Sequence, residues 1–240
     1  MNAIDIAHLA TTDLTGQRAV VIGAGYGVGP AVVSALAEAG ATVLTDDANA
    51  PAGEHIASVG LPADLIESCI EKLGGLDILV VSSRPVKNKP VLDMTPEEMR
   101  SVAEEEMVSP ALQMQEAARH MVKAGYGRII VFASMSAKTG VHHDVAPYAA
   151  AKGGLLAFAR VLAAETAEHG VTVNGIATAL FEPQVKTMTE EKRTRLKGAI
   201  PVGRFGRSEE AAHAVLFLAA RNAGFVTGEC LNLSGGRFMD

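Results

Sequence analysis

The chain has 240 residues, 48% of them hydrophobic and 20% charged, with a formal net charge of −6. That length suits one α/β domain, and the composition is that of a globular chain and not of a disordered one. The acidic balance argues against nucleic acid or an anionic membrane as the main partner, and no apolar run is long enough to cross a bilayer.

The opening "MNAIDIAHLATTDLTGQR" lacks a basic segment followed by an apolar core, so it reads as an N-terminal arm over 1–15 and not as a signal peptide. "AVVIG" (19–23) is a short β-branched strand, and "GPAVVSALAEAG" (29–40) has helical spacing up to Gly40. "TVLT" (42–45) reads as a second strand. The next thirty residues are sparse: "ANAPAG" is loop-like, "HIASVG" suits a short strand and "PADLIESCIEKLG" a helix. "LDILVVSS" (76–83) is a strand, and 96–125 reads as one long helix with Pro96 in its first turn. Strand "GRIIVFAS" (127–134), a helix over 147–170 and strand "VTVNGIA" (171–177) follow. A helix over 209–220 and "ECLNLSGG" (229–236) close the chain. Alternating strands and helices predict an α/β fold, a doubly wound parallel sheet with helices on both faces, in a single domain over 1–240. The continuous apolar strands fit a sheet covered on both sides. Cys69 and Cys230 stand far apart in the chain, which suits two free thiols and neither a disulfide framework nor a zinc site.

Gly23, Gly25, Gly27 and Gly29 stand at alternate positions between the first strand and the first helix. A βα turn of this kind turns backbone N–H groups and a helix N-terminus towards a ligand, and a pyrophosphate fits there. The second strand runs into Asp46-Asp47. An acidic side chain about twenty residues beyond the glycines can bond the adenosine ribose and repels a 2′-phosphate. That predicts NAD(H) over NADP(H), with Asp47 as the ribose ligand.

"YAAAK" places Tyr148 and Lys152 four residues apart, on one face of a helix. An ammonium beside a phenol stabilises the phenolate and lowers its pKa from about 10, as alcohol–carbonyl acid/base chemistry requires. The strand before it ends at Ser134, at the expected carboxyl edge of the sheet, where open α/β sheets bind ligands. A serine there can bond an oxygen that gains negative charge.

With these residues in view, the chain resembles the short-chain dehydrogenases/reductases over almost its whole length. "IGAGYGVG" resembles the family's TGxxxGxG, with Ile22 where threonine is usual, and "YAAAK" matches YxxxK. "GLDILV", "VTVNGIA", "PVGRFGRSEEAAHAVLFLA" and "VTGECLNLSGG" carry the rest of the likeness. The resemblance implies a Rossmann-type fold, a nicotinamide cofactor, hydride transfer on a small alcohol or ketone, and a cytoplasmic homotetramer or homodimer. It implies Tyr148 as acid/base, Lys152 as the group that lowers its pKa and holds the nicotinamide ribose, and Ser134 as the residue that orients the substrate. Gly23, Gly27, Val28, Gly29, Asp47, Ser82, Tyr148 and Lys152 would bind the cofactor, and Asn174 matches a mainly structural position.

The chain departs from the family pattern at several places. The NNAG segment is replaced by Val81, Ser82, Ser83 and Arg84, where Arg84 either meets a phosphate or acidic substrate or points to solvent. Alignment on "VSPALQMQEA" places Glu106 where the family has the helix asparagine of its proton relay, with Met107 as the alternative. Ser134 lies fourteen and Ser136 twelve residues before Tyr148, and Ser134 is favoured because it continues the strand. The usual PG is Thr178-Ala179, and 180–201 has the length of a mobile substrate lid. His142-His143-Asp144 stand between the serine and the tyrosine without a third ligand at helical spacing, so no metal site is expected. These departures keep two alternatives open: a non-redox enzyme of the halohydrin dehalogenase kind, and a cofactor-binding protein with little turnover.

Overall fold

The computed structural model describes residues 12–46, 52–56, 62–82, 86, 88–140 and 142–239. Asp47, Ser83 and Arg84, together with most of the N-terminal arm, lie outside the described residues. Seven strands form one sheet in the order β3-β2-β1-β4-β5-β6-β7. They are β1 (Arg18–Ile22), β2 (Thr42–Thr45), β3 (Glu54–His55), β4 (Ile78–Val81), β5 (Gly127–Ser134), β6 (Val171–Thr178) and β7 (Cys230–Leu233). Every pairing is parallel.

Side-chain alternation along the strands divides the core in two. Ala19, Val21, Ile78, Val80, Ile130, Phe132 and Ile176 face one layer, which is closed by α1 (Gly29–Glu38) and α8 (Ser208–Ala219). Val20, Ile22, Leu79, Val81, Ile129, Val131 and Val173 face the other. That layer is closed by α2 (Pro62–Leu73), α4 (Ser109–Ala124) and α5 (Ala146–Thr166). The doubly wound sheet is therefore as the sequence predicts, and among the described residues no helix is long and apolar enough to cross a membrane. Cys69 and Cys230 are both buried and unpaired.

The amino ends of β1 and β4 are locked by a fork. Arg18 donates from Nε and Nη2 to the Asp77 carboxylate at 2.8 and 3.0 Å. Burial pushes the Asp77 carboxyl up, but the bonds from Arg18 outweigh it and hold the group below the usual range. Asn174, 1% exposed, donates to the Val226 carbonyl and accepts from Glu229 N–H, joining β6 to the approach to β7.

The long helix expected over 96–125 runs from Pro96 to Ala124, but it is not α-helical throughout. α3 (Pro96–Ala103) starts from a Thr95–Glu98 capping box, a π-helical turn covers Glu104–Val108, and α4 then begins. Pro110 accounts for the break: it has no N–H for the Glu106 carbonyl, and its ring crowds that oxygen. A single wide turn absorbs the mismatch. Of the short strand expected in "HIASVG", His55 lies in β3 (Glu54–His55), while 57–60 fall outside the described residues. The lid expected over 180–201 holds two short helices, α6 (Glu182–Val185) and α7 (Glu190–Gly198). They sit around a small core of Val185, Ile200 and Phe205.

Candidate active site

The carboxyl ends of β1, β4 and β5 bring the sequence-predicted residues to one edge of the sheet. After β1, Gly23 and Gly27 have φ of 73° and 56°, a region that L side chains avoid. Val28, 9% exposed, precedes α1, whose first turn holds Pro30. Gly29 is required by space: a Cβ there would lie 2.6 Å from the Ala24 carbonyl oxygen and 2.7 Å from that of Gly23. Since both neighbours are backbone, Gly29→Ala is expected to destabilise the fold by about 1–3 kcal/mol, and to weaken dinucleotide affinity. Denaturant unfolding and a fluorescence titration with NADH measure the two effects.

Ser82 continues from β4 and donates its N–H to the Ile22 carbonyl at 2.9 Å. It packs against Gly23, where an added Cβ would meet the Ser82 Cβ at 3.4 Å. So the residue standing in the altered NNAG segment does reach the glycine turn. Asp46 enters from β2: its Oδ1 accepts the Gly23 N–H at 2.8 Å. The sequence reading chose Asp47 and passed over this contact, for which the Asp46-Asp47 doublet was the available signal.

Ser134 is the last residue of β5, and its Oγ accepts the Ser136 N–H at 3.1 Å, capping the short 3-10 turn Met135–Ala137. Ser136 lies within that turn. Tyr148 and Lys152 sit in the first two turns of α5, 8% and 1% exposed. Lys152 Nζ is 5.8 Å from the centre of the Tyr148 ring and donates to the Phe132 carbonyl at 3.1 Å.

The π-helical turn decides between Glu106 and Met107. Glu106, 6% exposed, is the buried residue of that turn, and its Oε2 lies 3.0 Å from Lys152 Nζ. Met107 instead packs against Gly154. Burial pushes the Lys152 amine down, and the ion pair with Glu106 pulls back only part of that.

The histidine loop lies between the turn after β5 and α5. His142 Nδ1 is 3.4 Å from the Thr139 hydroxyl, and burial, helped by Arg237, pushes the imidazole down. Asp144 takes φ 63° and accepts the Lys89 N–H through its carbonyl at 2.9 Å, fastening the loop to the segment after β4. A cavity of about 210 Å³ between the 180–201 segment and the end of β7 is lined by Phe181, Ile200, Leu233 and neighbours, and by none of Ser134, Tyr148 or Lys152.

A family model described as enoyl-(acyl carrier protein) reductase matches residues 23–237. The 3-oxoacyl-(acyl-carrier-protein) reductase FabG of Escherichia coli (strain K12) is 34% identical over 241 residues, covering 93% of this chain and 98% of its own. A short-chain type dehydrogenase/reductase from Mycobacterium marinum superposes with a TM-score of 0.86 at 28% identity, covering 98% of this chain and 100% of that one. The chain belongs to the short-chain dehydrogenase/reductase family.

Other solved structures resemble this short-chain dehydrogenase/reductase equally in backbone and differ in what they are described as doing. A gluconate 5-dehydrogenase from Burkholderia cenocepacia J2315, in complex with NADP and tartrate, has a TM-score of 0.85 at 28% identity. It covers 94% of this chain and 96% of its own. A protein described as a dehalogenation enzyme also reaches 0.85, at 26% identity, over 94% of this chain and 99% of its own. Membership brings oxidoreductase chemistry and a nucleotide cofactor. The glycine turn fits such a cofactor, since it leads into the N-terminus of α1 and the space a side chain would take at Gly27 is open.

Proposed function

We propose that the protein is an NAD(H)-dependent oxidoreductase that interconverts a small secondary alcohol and a ketone, with Tyr148 as general acid and base. The observation that carries this reading is the buried Tyr148–Lys152 pair beside the carboxyl end of β5. In the reductive direction the Tyr148 hydroxyl gives its proton to the substrate oxygen, and in the oxidative direction the phenolate takes it back. The Lys152 ammonium stabilises that phenolate. Ser134 already accepts from Ser136 N–H, so its own hydroxyl proton is directed to the substrate oxygen. Gly23, Gly27, Val28 and Gly29 would hold the dinucleotide phosphates, with Ser82, Tyr148 and Lys152 towards its nicotinamide half. The nicotinamide, when bound, supplies or accepts the hydride.

The preference for NAD(H) rests on charge at the end of β2. Asp46 already bonds the glycine turn, and Asp47 follows it in the chain. A 2′-phosphate beside the glycine turn would meet the Asp46 carboxylate. The related gluconate dehydrogenase holds NADP, which makes the preference a direct test. Titration with NADH and NADPH, followed by nicotinamide fluorescence, is expected to give the tighter binding with NADH. Asp46→Asn keeps a carbonyl oxygen as acceptor for Gly23 N–H and removes one charge, so it should move the ratio towards NADPH by about tenfold. Tighter NADPH binding by the unaltered protein would overturn the preference. Ketone substrates for the first screen include 3-oxoacyl thioesters and keto-sugar acids, after the relatives' names.

A second reading is non-redox chemistry on the same fold, favoured by the likeness to the dehalogenation enzyme. The intact glycine turn and Lys152 weigh against it. Halide release from a vicinal halohydrin, without any change in nicotinamide absorbance, would establish it in place of the first. A homotetramer or homodimer is also proposed, supported by Phe217 on α8 and Phe225 ahead of the edge strand β7, which stand 48% and 103% exposed.

A further inference from the structure

Among the described residues, Lys152 is the most deeply buried charged group, at 1% exposed, and it has a single ionic partner. Its Nζ touches Glu106 Oε2 at 3.0 Å and the Phe132 carbonyl at 3.1 Å. The other elements packed on α5 bring no charge to it. β6 holds no titratable side chain, and neither does the turn Met135–Ala137. Arg128 of β5 is bonded at the opposite end of that strand, to the carbonyls of Gly127 and Gly170. On α3, Glu98 is engaged by Lys89, and Glu97 by Arg100, at the surface. Glu104 and Glu105 of the π-helical turn are exposed. On α4, Glu116 pairs with Arg119 and His120 accepts the Leu76 N–H, while Lys123 is exposed in the last turn.

We propose that Glu106 is a positioning residue whose carboxylate keeps the buried Lys152 side chain an ammonium ion, aimed beneath Tyr148. This deepens the acid/base reading of Tyr148 and rests on it. Two effects of the carboxylate compete. Its negative charge opposes formation of a phenolate nearby, yet it also sustains the cation that favours one. The second effect wins here because burial already drives Lys152 towards its neutral form. On this proposal the buried amine, without its counter-ion, must give up its proton before Tyr148 does, and a neutral amine does little for a phenolate.

The Tyr148 phenol can be followed without turnover. The chain has three tyrosines and no tryptophan, so phenolate absorbance reports them directly, and subtraction of the Tyr148→Phe spectrum isolates Tyr148. In Glu106→Gln the Tyr148 midpoint is expected to rise by about one pH unit or more, and the alkaline-dependent limb of alcohol oxidation should move with it. Glu106→Asp should restore most of the original midpoint. A midpoint that falls or stays in Glu106→Gln overturns the proposal, because the carboxylate would then only neutralise a cation that survives alone. If Glu106→Gln does not fold, nitrogen NMR of labelled lysines in the unaltered protein takes its place, with Lys152 assigned by Lys152→Arg. The Lys152 signal must remain that of an ammonium up to the Tyr148 midpoint, and earlier loss of the proton overturns the proposal. Should the midpoint rise as expected in a protein that reduces no ketone, the ion-pair role stands and the redox reading falls. An unmoved midpoint in a protein whose turnover needs Tyr148 removes only the role of Glu106.

Discussion

Tyr148→Phe is expected to lose turnover by about a thousandfold or more, while its affinity for NADH stays within a factor of about two. The substitution removes one oxygen from a side chain that is 8% exposed and leaves the ring that packs near Lys152. The glycine turn, Ser82 and Asp46 follow directly on β1, β4 and β2 and do not depend on the phenol. Single-turnover reduction of a ketone, set beside a fluorescence titration with NADH, separates the chemical loss from the binding loss. Undiminished turnover would remove Tyr148 from the mechanism, and weakened binding in proportion to lost turnover would make it a cofactor ligand only.

The second large effect is on stability. Lys152→Met fills the same space without charge and strands the Glu106 carboxylate, itself 6% exposed, with no counter-ion. Breaking one partner of a buried ion pair costs about 3–5 kcal/mol, because the charge left behind stays desolvated. Denaturant unfolding should show that loss in the single variant. The double variant Lys152→Met/Glu106→Leu should recover most of it, since two apolar side chains can replace a buried pair at little net cost. A single variant that loses under about 1 kcal/mol would mean that water reaches Glu106. A double variant as unstable as the single one would place the loss in packing. Neither variant should turn over.

Much of the fold was legible because its signals are local. β2 and β5 are β-branched or apolar runs bounded by turns, and they form over the residues the sequence indicates. The glycine turn was legible too, through spacing that only close backbone approach explains. The π-helical turn was not. Pro110 stood in view inside an apolar helical pattern, but a proline there can equally kink a helix, end it or widen one turn. Which of these occurs depends on what packs around it. Alignment favoured Glu106 over Met107, and the structure places Glu106 against Lys152; the wide turn that sets this register is not visible in spacing. Asp46 was hidden differently. Two adjacent carboxylates look alike in sequence, and only the position of Gly23 relative to β2 shows that the first meets the glycine turn.

The wide turn has a consequence for how such a site could be retuned over generations. Glu106 belongs to a segment that keeps step with neither α3 nor α4, and it is the buried side chain of that segment. The apolar stripe of α4, from Pro110 through Met114 to Met121, does not include it. The residue facing the lysine can therefore drift between amide, carboxylate and apolar types without rewriting either helix. A single codon there would alter the acid strength of the neighbouring phenol while the scaffold stays as it is.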